Sequence, residues 1–257
     1  SLPSAIAVEM LVLPQLRKLL FDGRQKEAED LAMRAFMGEP LRQEKYQPCG
    51  DVFVALEGVA ASSDYTRQLD LAEGVHTVAF TSGGLRYTQE TFASHPDRVL
   101  VHRVTADKPG AVACKVRVAS PHTGAKAHVE PDGRIVLQGQ VQADGVAFEA
   151  QALVRAEGRG AQVTAEGEQV AVRGADAVVV VWTAATNVKA WNALGNDPAA
   201  ACAKTLKRAA KKASAQLRAA HVADHRALFG RAEVRLPRTA SAALPTDERL
   251  KAFRTAD

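Results

Sequence analysis

The spacing of apolar residues changes twice along this chain, and each change marks a different kind of element. After Pro14, which suits an early helical position, Leu16, Leu19 and Leu20 recur at helical intervals, and Phe21-Asp22-Gly23 offers a stop. A second amphipathic stretch sets Ala28, Leu31, Ala32 and Ala35 on one face, with Glu27, Glu29, Asp30 and Arg34 around the other. These two segments predict an N-terminal helical hairpin. From Val52 to Thr186 the period falls to two. Val112, Cys114, Val116 and Val118 alternate with Ala113, Lys115 and Arg117, as in a strand with one buried face. Turn signals interrupt this region at short intervals: Gly83-Gly84, Lys108-Pro109-Gly110, Pro131-Asp132-Gly133, Asp144-Gly145, Gly158-Arg159-Gly160 and Arg173-Gly174. Regularly spaced short strands predict an antiparallel sandwich. Ala177-Val178-Val179-Val180-Val181-Trp182 is apolar on both faces and predicts a central strand covered on both sides, with Trp182 in the core.

Helical spacing returns after Asn196-Asp197-Pro198. Leu206, Ala210, Ala213 and Leu217 form a narrow stripe, flanked by Lys204, Lys207, Arg208, Lys211 and Lys212, and a helix pair is expected before the final linker. Ala232 to Leu236 alternates and predicts a last strand. Pro237 to Pro245 has linker composition, and Thr246-Asp247-Glu248 opens another helix. The expected fold is mainly β: a large, supersandwich-like antiparallel β-sandwich with an N-terminal helical hairpin and C-terminal linker helices. The expected boundaries are residues 1–236 for the sandwich domain with its inserted helices, and 237–257 for a linker and the start of a helix.

Composition narrows the chemistry. The chain has 257 residues, 47% of them hydrophobic, enough for a substantial core. A net charge of +4 with only 5% aromatic residues argues against a nucleic-acid partner. No apolar run approaches the roughly 20 residues a membrane helix needs. Three separated cysteines, Cys49, Cys114 and Cys202, contain no C-x-x-C pair and read as buried free thiols. No metal or other cofactor is expected. His221 and His225 share a helical face with Asp224 between them, but without a third ligand they read as packing residues. Ser94, His95 and Asp97 are neighbours in sequence, which is not triad geometry, and read as a turn. Asp70, between Leu69 and Leu71, is expected to pair with Arg67 or Arg86, and Asp51, after Pro-x-Gly, to cap a turn.

Several ordered motifs carry a family resemblance. Tyr46-Gln47-Pro48-Cys49-Gly50-Asp51 is followed by Tyr65-Thr66-Arg67 with Leu69-Asp70-Leu71, and then by Ser94-His95-Pro96-Asp97 running into Val99-Leu100-Val101-His102-Arg103. In the same order come Phe148-Glu149-Ala150, Gly174-Ala175-Asp176, Asp197-Pro198, His221, His225, Leu228-Phe229 and Pro245-Thr246-Asp247-Glu248-Arg249-Leu250. Together these resemble the N-terminal β-domain of the α-L-fucosidases of glycoside hydrolase family 95. Members usually open with strands bearing an N-G-R-like turn, which Ser1 to Met10 lacks.

The resemblance implies a non-catalytic N-terminal domain that packs on and supports a catalytic (α/α)6 barrel of the same polypeptide, lying beyond residue 257. The barrel would carry the acid and base, so no catalytic residue is assigned here and the chain alone is expected to be inactive. The parent would hydrolyse terminal α-L-fucosyl or related L-sugar linkages in glycans, in a periplasmic or secreted setting, although Ser1 to Val8 shows no leader pattern. Tyr46, Gln47, Asp51 and Trp191 are the candidates for a substrate rim or a domain interface. Two other readings are a stand-alone carbohydrate-binding sandwich, which needs exposed aromatics, and a scaffold or interaction domain.

Overall fold

The computed structural model describes residues 2–37, 47–141, 145–190, 192–235, 237 and 239–255. They form two compact units, Ser1–Gln47 and Pro48–Asp257. In the first, helices α1 (Leu2–Phe21) and α2 (Gln25–Ala35) pack on each other, with Leu16 and Ala28 buried. Gly23 takes a φ of 73° between them, so the stop predicted at Phe21-Asp22-Gly23 is where the chain turns. The helix begins well before Pro14, however. That proline sits in its interior, where it removes one backbone donor from the helical ladder instead of opening it.

The second unit is the predicted sandwich. Twelve of its strands are β1 (Asp51–Leu56), β2 (Ser63–Asp70), β3 (Val75–Ser82), β4 (Leu85–Ser94), β5 (Val99–Ala106), β6 (Val112–Ala119), β7 (Lys126–Val129), β8 (Arg134–Gln140), β9 (Ala147–Glu157), β10 (Gln162–Glu166), β11 (Gln169–Ala175) and β12 (Ala177–Thr186). A four-stranded sheet in the order β1-β6-β11-β10 lies over an eight-stranded sheet in the order β2-β3-β4-β5-β12-β9-β8-β7, and every pairing is antiparallel. A small hairpin, β13 (Val188–Ala190) with β14 (Ala193–Leu194), stands apart.

Two cores share the large sheet. Between the sheets, Val104, Val178 and Val180 meet Val112, Cys114, Val116 and Val118 of β6 and Val170 and Val172 of β11. On the opposite face Val99, Val101, Val179 and Val181 meet Leu206, Ala209, Leu217 and Val222 of two helices, α3 (Pro198–Ala209) and α4 (Ser214–Phe229). Alternate residues of β12 therefore serve alternate cores, which is why that strand reads as continuously apolar. Burying each such side chain is worth roughly 1.5–3 kcal/mol, so the two-sided β12 is the most heavily anchored strand of the sheet.

Asp197 caps α3 by accepting the Ala200 N–H at 3.0 Å, with Pro198 in the first turn. The apolar stripe expected on one helix is divided: the chain breaks at 210–213 and restarts as α4, where Gln216 reaches back to the Ala213 N–H at 2.9 Å. Arg155 of β9 donates through Nη1 to the Lys212 carbonyl at 2.9 Å and satisfies part of the break. Of the strand expected at Ala232 to Leu236, residues 232–235 are exposed and form no strand, since among the described residues no strand pairs with them; Leu236 lies outside the described residues. Gly174 is not a hairpin turn. It lies in β11 at a register shift against β6, with a φ of 67°. A short 3-10 turn (Ala240–Ala243) and helix α5 (Thr246–Thr255) close the chain, and the described side chains of α5 are exposed.

Candidate functional site

Four strands cannot cover eight. Among the described residues the small sheet ends at β1, and beside that strand the inner face of the large sheet lines a cleft of about 430 Å³. Val52 and Val54 of β1 form one wall, with Gly50 and Asp51 at its end. The floor comes from three paired strands: Gln89 and Thr91 of β4, Leu100 and His102 of β5, and Val180 and Trp182 of β12. Register fixes their grouping, since Thr91 opposes His102, His102 opposes Val180, and Leu100 opposes Trp182.

Thr91 Oγ1 and His102 Nδ1 share a hydrogen bond of 2.8 Å. Burial pushes the His102 imidazole below its ordinary value, and His76, on the far side of Thr91 in the same cross-strand row, pushes further in that direction. At neutral pH the ring is therefore an uncharged donor and acceptor. Trp182 is not sealed in the core as expected. It packs against the inter-sheet cluster while remaining partly exposed to the cleft.

Of the sequence-predicted candidates, Asp51 opens β1 opposite Ala119 and is exposed at the cleft. It does not cap a turn: among the described residues its carboxylate forms no hydrogen bond, because the strand ladder already occupies the adjacent backbone. Gln47 is exposed and belongs to the N-terminal unit. Tyr46 and Trp191 lie outside the described residues.

The Ser-His-Pro-Asp box is a structural turn. Ser94 Oγ donates to Asp97 Oδ2 at 3.0 Å, the Arg98 N–H donates to the His95 carbonyl at 3.2 Å, and Arg98 takes a φ of 57°. Asp97 is 1% exposed and receives Lys212 Nζ at 2.6 Å, while Arg208 Nη2 donates to its main-chain carbonyl at 2.9 Å. This box therefore fixes the β4–β5 turn to the α3–α4 break. Lys212 and Arg208, which flank the apolar stripe in the sequence, reach this turn because of the break, which nothing in the local pattern announces.

Helix α4 grips the neighbouring turn. Asp70 does not pair with Arg67 or Arg86; its Oδ1 accepts the Ala72 and Glu73 N–H groups at 2.8 and 3.0 Å, closing the β2–β3 turn. His221 Nε2 and His225 Nε2 then hold the Gly74 and Leu71 carbonyls at 3.1 and 2.8 Å. Phe92, His221, His225 and Phe229 stack in sequence, with centroids 5.1, 5.9 and 5.3 Å apart. Glu73 is clamped by Arg218 at 2.6 Å and Arg226 at 2.7 Å. A β-carbon on Gly74, whose φ is 65°, would lie 3.0 Å from the His225 ring. The two histidines are thus packing groups that hold backbone, as expected.

Two further clefts are lined by carboxylates that already have partners. Under the start of α4, Glu90 meets Arg218 at 3.3 Å and Glu157 meets Arg103 at 3.0 Å. Beside α3, Asp132 meets Arg134 at 2.7 Å. All three cysteines are free. Desolvation raises each thiol above its ordinary value, Cys114 to about 11 and Cys202 to about 12.

The fold is a large antiparallel β-sandwich domain backed by helices. Residues 7–191 match the family described as glycosyl hydrolase family 65, N-terminal domain, and the chain belongs to that family. It is also similar over nearly its whole length to α-fucosidases. "Alpha-L-fucosidase 2" of Arabidopsis thaliana is 25% identical over 95% of this chain and 32% of its own length. "Probable alpha-fucosidase A" of Aspergillus niger is 25% identical over 94% and 31%, respectively. The chain thus spans about a third of the length of these relatives, which have further domains. Among solved structures, a putative kojibiose phosphorylase from the human microbiome aligns with a TM-score of 0.46 at 12% identity, covering 68% of this chain and 27% of that one.

Proposed function

We propose that this chain is the supporting N-terminal domain of a fucosidase-like glycoside hydrolase, and that the catalytic groups reside in an (α/α)6 barrel of the same polypeptide. The observation that carries this reading is the near-complete alignment with α-fucosidases three times its length. Chemistry supports it. Glycoside hydrolysis needs two carboxyl groups across a bond, one able to give a proton. In the clefts described, Glu90, Glu157 and Asp132 are committed to arginines, and Asp51 has no second acid facing it. The parent would remove terminal α-L-fucosyl or related L-sugar residues, and α5 would lead toward the barrel.

Exposed apolar side chains supply surface for that packing. Tyr65, Leu69 and Leu71 stand open along β2 and its turn, and Leu228, Val234, Leu250 and Phe253 toward the end of the chain. Tyr46, Gln47, Asp51 and Trp191 are the residues we assign to the rim or interface, and the exposure of Gln47 and Asp51 supports this. The test is hydrolysis of an aryl α-L-fucoside by the 257-residue chain alone and by the polypeptide extended through the barrel. The longer protein is expected to be active and the chain alone to match buffer. Enzyme-like turnover by the chain alone would overturn the proposal.

A further inference from the structure

The β2–β3 turn is held more firmly than a surface turn needs. Asp70 caps it through the Ala72 and Glu73 N–H groups, and the Gly74 N–H donates to the Asp70 carbonyl at 2.7 Å. From α4, His221 and His225 hold two of its carbonyls, and Arg218 and Arg226 hold Glu73. Yet its first side chain is a leucine. Leu71 is 62% exposed, where turn chemistry favours glycine and short polar groups. Beside it the end of α4 is apolar too. Phe229 is half exposed while its ring stacks on His225, the residue that holds the Leu71 carbonyl, and Leu228 next to it is more exposed still. Leu69, on the same edge strand, is open as well. A rigid backbone under exposed apolar side chains favours docking, because little ordering is left to oppose it.

We propose that this patch, Leu69, Leu71, Leu228 and Phe229, is where the sandwich docks on the part of the same polypeptide that follows α5. The inference rests on the fucosidase reading, in which further domains lie there, and it narrows their contact to one surface. The path of the chain selects this occupant over a free partner. Helix α4 ends at Phe229, inside the patch, and residues 230–245 then lead to α5. Residues 231–235 are exposed, no strand pairs with them among the described residues, and Leu250 and Phe253 of α5 are exposed. A flexible stretch of this length spans roughly 20–25 Å, so whatever α5 leads into is held near the patch at an effective concentration on the order of millimolar. The charges of the clamp are balanced, Glu73 and Glu90 against Arg218 and Arg226. The complement is therefore an uncharged, apolar surface.

The experiment is hydroxyl-radical footprinting, read by mass spectrometry, of the 257-residue chain and of the polypeptide extended through the barrel. Leu71, Leu228 and Phe229 should oxidise readily in the chain alone and about fivefold or more slowly in the extended polypeptide, because an interface core excludes water. Phe53 and Val163, exposed on the small sheet, should oxidise at one rate in both. Leu71→Asp and Leu228→Lys should leave the urea midpoint of the chain alone unchanged, since both side chains are exposed. In the extended polypeptide each should speed oxidation of Phe229 by about threefold or more, as loss of a central contact readmits water. Equal rates in the two proteins, equal protection of Phe53 and Val163, protection in the chain alone that rises with its concentration, or protection untouched by both variants would each overturn the proposal. If one variant fails to fold, the other decides. An extended polypeptide that protects the patch but leaves the aryl fucoside intact would sink the fucosidase reading alone; turnover without protection would sink this inference alone.

Discussion

Replacing Asp97 tests how the sandwich holds its helical layer. The carboxylate is 1% exposed and accepts two bonds, from Ser94 Oγ at 3.0 Å and Lys212 Nζ at 2.6 Å. Breaking a buried ion pair by removing one partner costs about 3–5 kcal/mol when the other charge is stranded. In Asp97→Ala the stranded group is Lys212, whose side chain is 37% exposed and can turn to water, so the cost falls to about 2–3 kcal/mol. Lys212→Met strands the buried carboxylate instead and should cost at least as much, although Ser94 still donates to it. At about 2–4 °C per kcal/mol for a unit of this size, Asp97→Ala should lower Tm by about 5–10 °C. Urea melts of both single variants and the double variant, at constant m, should give a coupling energy of at least about 1 kcal/mol. A loss below about 0.5 kcal/mol for Asp97→Ala, or strict additivity in the cycle, would refute the claim that this contact anchors the α3–α4 break.

Three further tests address the cleft and the cores. Gly50→Ala places a methyl 2.6 Å from the Ala119 carbonyl oxygen and 2.8 Å from Leu137 Cδ2, so urea melts should show a loss of about 1–3 kcal/mol. His102 has a folded-state value depressed by burial, so the unfolded chain takes up its proton first on acidification. Stability should therefore fall as pH drops below about 6.5, and His102→Gln should flatten that part of a urea-midpoint profile between about pH 7 and 5. With an aromatic disulfide reagent at about pH 8, half-buried Cys49 should react before Cys114 and Cys202, whose thiols are raised to about 11 and 12; unfolding in urea should make all three react at one rate.

The sandwich was legible because the spacing of apolar residues is a local property: β6 alternates over one buried face and β12 is apolar on both, without reference to any partner. Pairing is not local. Residues 232–235 alternate as well as a strand does, yet no ladder awaits them. Asp70 was read through its charge, but the nearer option, two backbone N–H groups in its own turn, prevailed. The α3–α4 break contains neither glycine nor proline, so the stripe ran across it unmarked. The cleft was hidden for a related reason. Asp51 and Trp182 stand far apart in sequence, and only the registers of β4, β5 and β12 bring its floor together.

The strand at the centre of the eight-stranded sheet is also the last of that sheet to be made. β12 joins β5 to β9, so until residue 186 has left the ribosome the sheet exists as two separate halves, each with a bare edge. Assembly thus waits on a long-range insertion, which is slow by its nature. A chain interrupted before that point would expose two half-sheets ready to join the wrong neighbours, and its fate would be aggregation in place of a smaller working domain.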